Sequence, residues 1–190
     1  MSMRFRVALF LMDIDQADHS KAVKDLLKMG VDCYMSKETM EALELYGHRV
    51  HTLDPATQQR IGTWTIRAFP LVHDVPNLGF LLVSGREKLL FAVDTNYVPQ
   101  RFWGLTRIML GVSYDNEILM ENITCGHIDP ALGKRILKNH MSFRTAKKFL
   151  EATDLSKVQS IHFLHLSDQN SDAEKFKKET EGMTGKPVYV

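Results

Sequence analysis

Cysteine is nearly absent: Cys33 and Cys125 are the only two in 190 residues, and no C-x-x-C spacing occurs. That excludes a disulfide framework and a thiolate zinc site, and it fits a reducing compartment. An excess of either charge is also lacking. Lys plus Arg total 24 against 23 for Asp plus Glu, a formal charge of +1. A strongly basic nucleic-acid binder is thereby excluded, although a local patch stays open. No apolar run approaches the ~20 residues that span a bilayer. The longest run near the start, Val7 to Met12, follows Arg4 and Arg6 as a signal peptide would. It is too short, and Asp13 and Asp15 stand where a cleavage site needs small residues. A buried strand is expected there, and a soluble, cytoplasmic protein.

What is present is ordinary for a globular chain: 44% hydrophobic and 25% charged residues. A chain of this length buries roughly 70% of its unfolded surface, enough for one domain over residues 1–190. Eight histidines and ten methionines stand out. Methionine is mostly core filler, whereas histidine is the common metal ligand and near-neutral acid or base.

Strand and helix signals alternate along the chain. Residues 19–29 place Ala22, Val23, Leu26 and Leu27 on one helical face before Gly30. A short strand is expected at 31–34, and a short helix from Ser36 to about Leu45. From Val50 to Asp94 the helical period gives way to β-branched and aromatic runs broken by Gly, Pro and Asp. Ser84-Gly85-Arg86 marks a hairpin. Another strand is expected at 106–112, then helices at 116–123, 130–139 and 142–152, with Asp129-Pro130 and Ser142 as start signals. A buried strand at 160–164, an amphipathic helix at 172–183 and a last strand at 186–190 complete a mixed α/β pattern.

One pattern recurs four times: an apolar strand that ends abruptly in Asp or His. The segments are ALFLMDIDQADH, FPLVHD, LLFAVD and HFLHLSD, closing on Asp18-His19, His73, Asp94 and His165. Functional groups collect in the loops just past strand ends on one sheet edge. Carboxylates and imidazoles meeting there stay costly to desolvate unless a cation joins them. An oxygen and nitrogen donor set of this kind suits Zn²⁺, Mn²⁺ or Fe²⁺. Each residue also has a plainer role: Asp18 as a helix cap, His19 on a helix surface, His73 half-buried, Asp94 in an Asx turn, His165 packed in the sheet as His162 would be.

Taken together, the order Asp18-His19, His73, Asp94, His165 resembles the metallo-β-lactamase-fold hydrolases. Their signature is H-x-H-x-D-H entering a helix, then one His, one Asp and a final His. The phrases DHSKAV, VHDVPNLGFLL, LLFAVDT, NHMS and HLSDQNSD are similar to a phosphodiesterase and nuclease-like branch that includes phage-encoded members. The resemblance implies an αββα sandwich and a two-metal hydrolytic site. It assigns Asp18, His19, Asp94 and His165 to the second metal, and His73 with a share of Asp94 to the first. It implies that Asp18 orients or deprotonates the attacking water, and that His140 in NHMS contacts the phosphate or leaving group. His140 also fits as a cation at a helix C-terminus.

Two departures qualify this. The signature reads Ile14-Asp15-Gln16-Ala17-Asp18-His19, so Ile14 and Gln16 replace the two leading histidines. The first metal site is therefore degraded, and one ion per chain is expected, Zn²⁺ or alternatively Mn²⁺ or Fe²⁺. Far fewer residues precede the motif than in family members, so one sheet should be short with an exposed edge. A homodimer covering that edge is expected, to be checked by light scattering; a shortened gene product, or a piece of a longer chain, reads the same way. The expected activity is hydrolysis of a small-molecule or nucleic-acid phosphodiester. The alternative is an inactive fold member serving as a binding or oligomeric module. Arg101-Phe102-Trp103 offers a basic and aromatic mix for stacking on a base, or else a loop aromatic covering the core. Trp64 is expected in the core, and Lys134-Arg135 and Lys147-Lys148 on solvated helix faces.

Overall fold

A computed structural model describes the backbone of residues 17–190 and the side chains from residue 23 onward. The expected strand at the start, with Ile14 and Gln16, lies outside the described residues. The chain opens with helix α1 (Ala17–Lys28), strand β1 (Cys33–Met35), helix α2 (Lys37–Ala42) and strand β2 (Val50–Thr52). Ser36 caps α2 by accepting the Thr39 N–H at 3.0 Å. β1 and β2 pair in parallel, with Cys33 opposite Val50. The apolar face of α1 packs Val23, Leu26 and Leu27 against Cys33 and Met35.

A seven-stranded sheet follows. Its strands, in both chain and spatial order, are β3 (Gln58–Ile61), β4 (Trp64–Pro70), β5 (Leu78–Ser84), β6 (Glu87–Ala92), β7 (Arg107–Gly111), β8 (Ser160–Leu164) and β9 (Val188–Tyr189). β3 to β6 form an antiparallel meander, and β6 to β9 run parallel. The hairpin between β5 and β6 pairs Ser84 with Glu87 around Gly85, whose φ of 59° suits a tight turn. Two antiparallel steps restore direction. β4, β6, β7 and β8 therefore all leave the sheet at the same edge.

Side-chain alternation buries both faces of this sheet. Leu81, Leu90, Leu110 and Phe163 belong to the larger core, with Phe143, Ala146 and Leu150 of helix α5 (Phe143–Glu151) and Phe176 of helix α6 (Ala173–Thr184). Ile66, Ala68, Phe80 and Leu82 face the other way, against Leu53 and Tyr34. Helix α3 (Asn116–Thr124) and helix α4 (Pro130–Asn139) build a smaller cluster with Tyr114. The start signals act as expected. Asp129 accepts from Ala131 N at 2.8 Å with Pro130 behind it, and Ser142 from Thr145 N at 3.1 Å.

Two expectations change, for Trp64 and Lys147, while Phe102 is the loop aromatic expected over the core. Trp64 opens β4 beside the edge strand and is exposed rather than in the core. Trp103 is exposed as well, and it is Phe102 that lies on the core, its ring 5.1 Å from that of Phe69. Lys147 is no free solvated charge, since it reaches Glu179 at 2.7 Å and sits over the Phe143 ring. Among the described residues, no helix is long and apolar enough to cross a membrane.

Candidate metal centre at the strand edge

Three of the four marked strand exits fall among the described residues, and they share one edge. β4 runs into Leu71-Val72-His73, β6 into Val93-Asp94, and β8 directly into His165. Asp94 and His165 both hold left-handed backbone, φ 51° and 60°. For residues other than glycine that conformation costs on the order of 1 kcal/mol each and persists only where surroundings enforce it. Here the two side chains meet, Asp94 Oδ1 lying 2.8 Å from His165 Nε2.

The surroundings that enforce it are a set of backbone clamps. The Asn77 amide donates to the carbonyls of Val93 at 3.1 Å and Asp94 at 2.8 Å. Gly111 gives room, because a Cβ there would lie 3.0 Å from Val93 Cα and 3.2 Å from Asp94 N. The Thr95 hydroxyl accepts from Val72 N and donates to the Tyr97 carbonyl. Asn96 N–H donates to Val72 O, while its side-chain amide donates to Leu137 O and Lys138 O, both at 2.8 Å. One residue thus ties the His73 loop, the Asp94 loop and the end of α4. Ser113 N bonds Met141 O and Ser167 N bonds Ser113 O, so the exit of β7 holds the segments carrying His140 and His165.

The result is a compact cluster. Asp94 Oδ1 lies 2.8 Å from His165 Nε2 and 3.5 Å from His140 Nδ1. One donor atom from each of Asp94, His140 and His165 falls within 4.8 Å of the others. Around a tetrahedral ion with bonds of about 2.0–2.1 Å, neighbouring donors stand about 3.3 Å apart, which these contacts bracket. The His140 and His165 rings stack with centroids 5.4 Å apart, and the edge of His73 meets His140 at 5.6 Å. Asp94 is 5% exposed. Burial opposes its ionisation, but His140 and His165 outweigh that and hold the carboxyl well below the usual aspartate range.

The donor chemistry fits a divalent ion. Asp94 Oδ1 and His140 Nδ1 are buried, and despite the short distances neither has a properly directed hydrogen bond. A buried polar atom left so is costly, and a shared cation resolves both at once. One carboxylate and two imidazoles suit Zn²⁺, Mn²⁺ or Fe²⁺.

His73 stands next to this cluster but not within its 4.8 Å group. Its side chain is 2% exposed, and Nδ1 lies 2.9 Å from Asp74 Oδ1, whose other oxygen is 3.5 Å from Arg135 Nε. Asp18 and His19 begin α1; their side chains lie outside the described residues. Sequence reasoning placed His140 at the substrate rather than beside Asp94. The clue was its position just after a helix, at the same edge the strands share. Asp74, Asn77 and Asn96 were missed altogether.

A donor-lined strand edge under an α/β sheet defines a class of metal-binding protein, and comparison agrees. The model of the Beta-lactamase superfamily domain matches residues 7–163, and the chain belongs to that family. Its fold is that of the metallo-β-lactamase-fold protein YhfI from Bacillus subtilis, with a TM-score of 0.68 at 12% identity over 96% of this chain and 73% of that one. Igni18, a metallo hydrolase from Ignicoccus hospitalis, gives 0.68 at 14% identity, covering 97% and 75%. Zn²⁺-bound PqqB from Methylobacterium extorquens gives 0.60 at 12% identity, covering 95% and 69%. No curated protein sequence matches the chain.

Proposed function

We propose that this protein is a metal-dependent hydrolase of phosphodiester bonds, working with one divalent ion per chain. The observation that carries the reading is the convergence of Asp94, His140 and His165 from three separate elements, two of them on left-handed backbone. Asp94 and His165 are the proposed core of the site, with Asp18 and His19 at the start of α1 as further donors. His73, oriented by Asp74, marks the weaker first-metal position.

When bound, the ion lowers the pKa of a coordinated water and stabilises charge on the scissile group. The chain's own residues do the rest. Asp94 is held ionised by the two imidazoles and supplies the site's fixed negative charge. His140 presents Nδ1 to Asp94 as the third proposed donor to the ion, and its other ring nitrogen is the one proposed to donate to a phosphate or leaving-group oxygen. Asp18 is the proposed orienting base for the water. Zinc is the first choice of metal, supported by zinc in a fold relative and by the nitrogen-rich donor set.

A second reading keeps the fold without the chemistry. Ile14 and Gln16, which stand where leading histidines would bind a first ion, favour it. The readings separate on bis(p-nitrophenyl) phosphate with added Mn²⁺ or Zn²⁺. Turnover that Asp94→Ala and His165→Ala abolish supports the hydrolase. A folded, metal-loaded protein with no turnover supports the binding module. Adding Ile14→His with Gln16→His should then bring a second ion and raise the rate.

A further inference from the structure

The sheet face that carries Leu81 and Leu90 into the core under α5 continues onto β3 and β4, where Gln58 and Arg67 are exposed on it. A cavity of about 320 Å³ lies on this part of the face, lined by Gln58, Thr65, Arg67, Leu81, Val83 and Lys88. The register sets these residues in two neighbouring rows. Gln58, Arg67 and Leu81 stand opposite one another across β3, β4 and β5. Thr65, Val83 and Lys88 do so across β4, β5 and β6.

We propose that this cavity binds a small organic dianion, two negatively charged ends joined by a hydrocarbon spacer. The proposal goes beyond the hydrolase reading and does not rest on it. Charge selects the ends. Lys88 spends one N–H on the Trp103 carbonyl at 2.8 Å and keeps two to donate. Among the described residues neither Arg67 nor Lys88 is paired with a carboxylate. Glu87 is the one acid on strands β3 to β6, and it is bonded to Thr106 and Arg107 instead. Arg60, opposite Thr65 on the same face, adds a further positive charge. Spacing selects the middle. Arg67 and Lys88 lie two strands and two residues apart, about 12 Å between Cα atoms at ordinary sheet spacings. Leu81 and Val83 stand between them in the register and form an apolar floor. The Thr65 hydroxyl and the Gln58 amide flank Arg67 and can donate to the end it holds. A monoanion leaves one cation unmet, and inorganic phosphate leaves the apolar floor uncovered. A dianion with a hydrocarbon middle answers both.

The test follows the methyl resonances of Leu81 and Val83 by NMR while the full chain, treated with EDTA, is titrated with linear dicarboxylates. Suberate should shift them and bind at least tenfold more tightly than octanoate, which has the same carbon chain and one charge fewer. Succinate, whose charges lie closer together, should bind at least tenfold more weakly than suberate. Arg67→Gln and Lys88→Gln should each weaken suberate by tenfold or more. Arg67 is exposed, so its variant keeps the test valid if Lys88→Gln fails to fold. Octanoate binding as tightly as suberate, suberate affinity unchanged in both variants, or no methyl shift overturns the proposal. So does suberate binding only to the Zn²⁺-loaded chain, because the ligand then sits on the ion. Phosphodiester turnover without suberate binding removes this site and leaves the hydrolase standing. Suberate binding here without turnover does the reverse.

Discussion

Two clusters in this molecule use the same ingredients. Asp94 sits between two histidines; Asp32 sits between His51, at 3.3 Å, and Arg49, at 3.6 Å, on the β1–β2 pair. The second is a surface tie. Its side chains are 38–40% exposed and occupy or flank regular strands, and His51 stacks flat on Tyr34 with centroids 4.7 Å apart. In the first, the carboxylate is buried between histidines that are 23% and 27% exposed, the cluster lies just past the strands, and two of its residues hold left-handed backbone. Residue type alone does not separate a structural ion pair from a candidate site. Burial and enforced backbone do: nothing strains to make the Asp32 cluster, whereas several clamps hold the Asp94 cluster together.

That difference sets a ranking of effects. Replacing Asp94 with Ala should remove the ion and lower turnover by at least about two to three orders of magnitude, the usual loss when a main electrostatic contributor goes; metal analysis and a phosphodiester assay read both. His165→Ala and His140→Ala should each cut metal affinity by tenfold or more while leaving the fold intact, as read by metal titration and circular dichroism. Gly111→Ala pushes a methyl against the backbone of Val93 and Asp94. It should cost about 1–3 kcal/mol by overpacking, measured by urea unfolding, and weaken metal binding too.

A smaller, pH-dependent effect comes from Asp115, which caps α3 and lies 2.9 Å from Lys175. Burial raises its pKa, but Lys175 and the Glu117 N–H prevail and hold it low. Its stabilisation is therefore complete above the ordinary aspartate pKa of ~3.9. It is lost as pH falls from there through the lower folded value. Asp115→Asn should remove that share of the acid unfolding limb, seen by fluorescence against pH. Smallest of all, Asp32→Asn should cost no more than about 1 kcal/mol, as exposed pairs do, and leave metal content unchanged. A large loss of metal in that variant would break the contrast between the clusters.

Much of this contrast was legible in the sequence. Strand exits closing on His73, Asp94 and His165 could be read because a buried apolar run ending in a polar residue is a one-dimensional signal. Caps at Ser36, Asp129 and Ser142 were local for the same reason. The nearness of His140 to Asp94 was not, because it depends on how α4 returns over the sheet edge, across a separation of 46 positions. The clamps from Asn77 and Asn96 are equally non-local: they bind backbone carbonyls, which carry no sequence mark. Trp64 misled because an apolar ring predicts burial only on average. It lies where the surface begins, at a strand start.

The most direct test of the central claim is anomalous scattering at the zinc edge from crystals soaked in Zn²⁺. One peak about 2.0–2.2 Å from Asp94, His140 and His165 donor atoms is the predicted result. A peak elsewhere, or none at this cluster with the three side chains in place, contradicts the account.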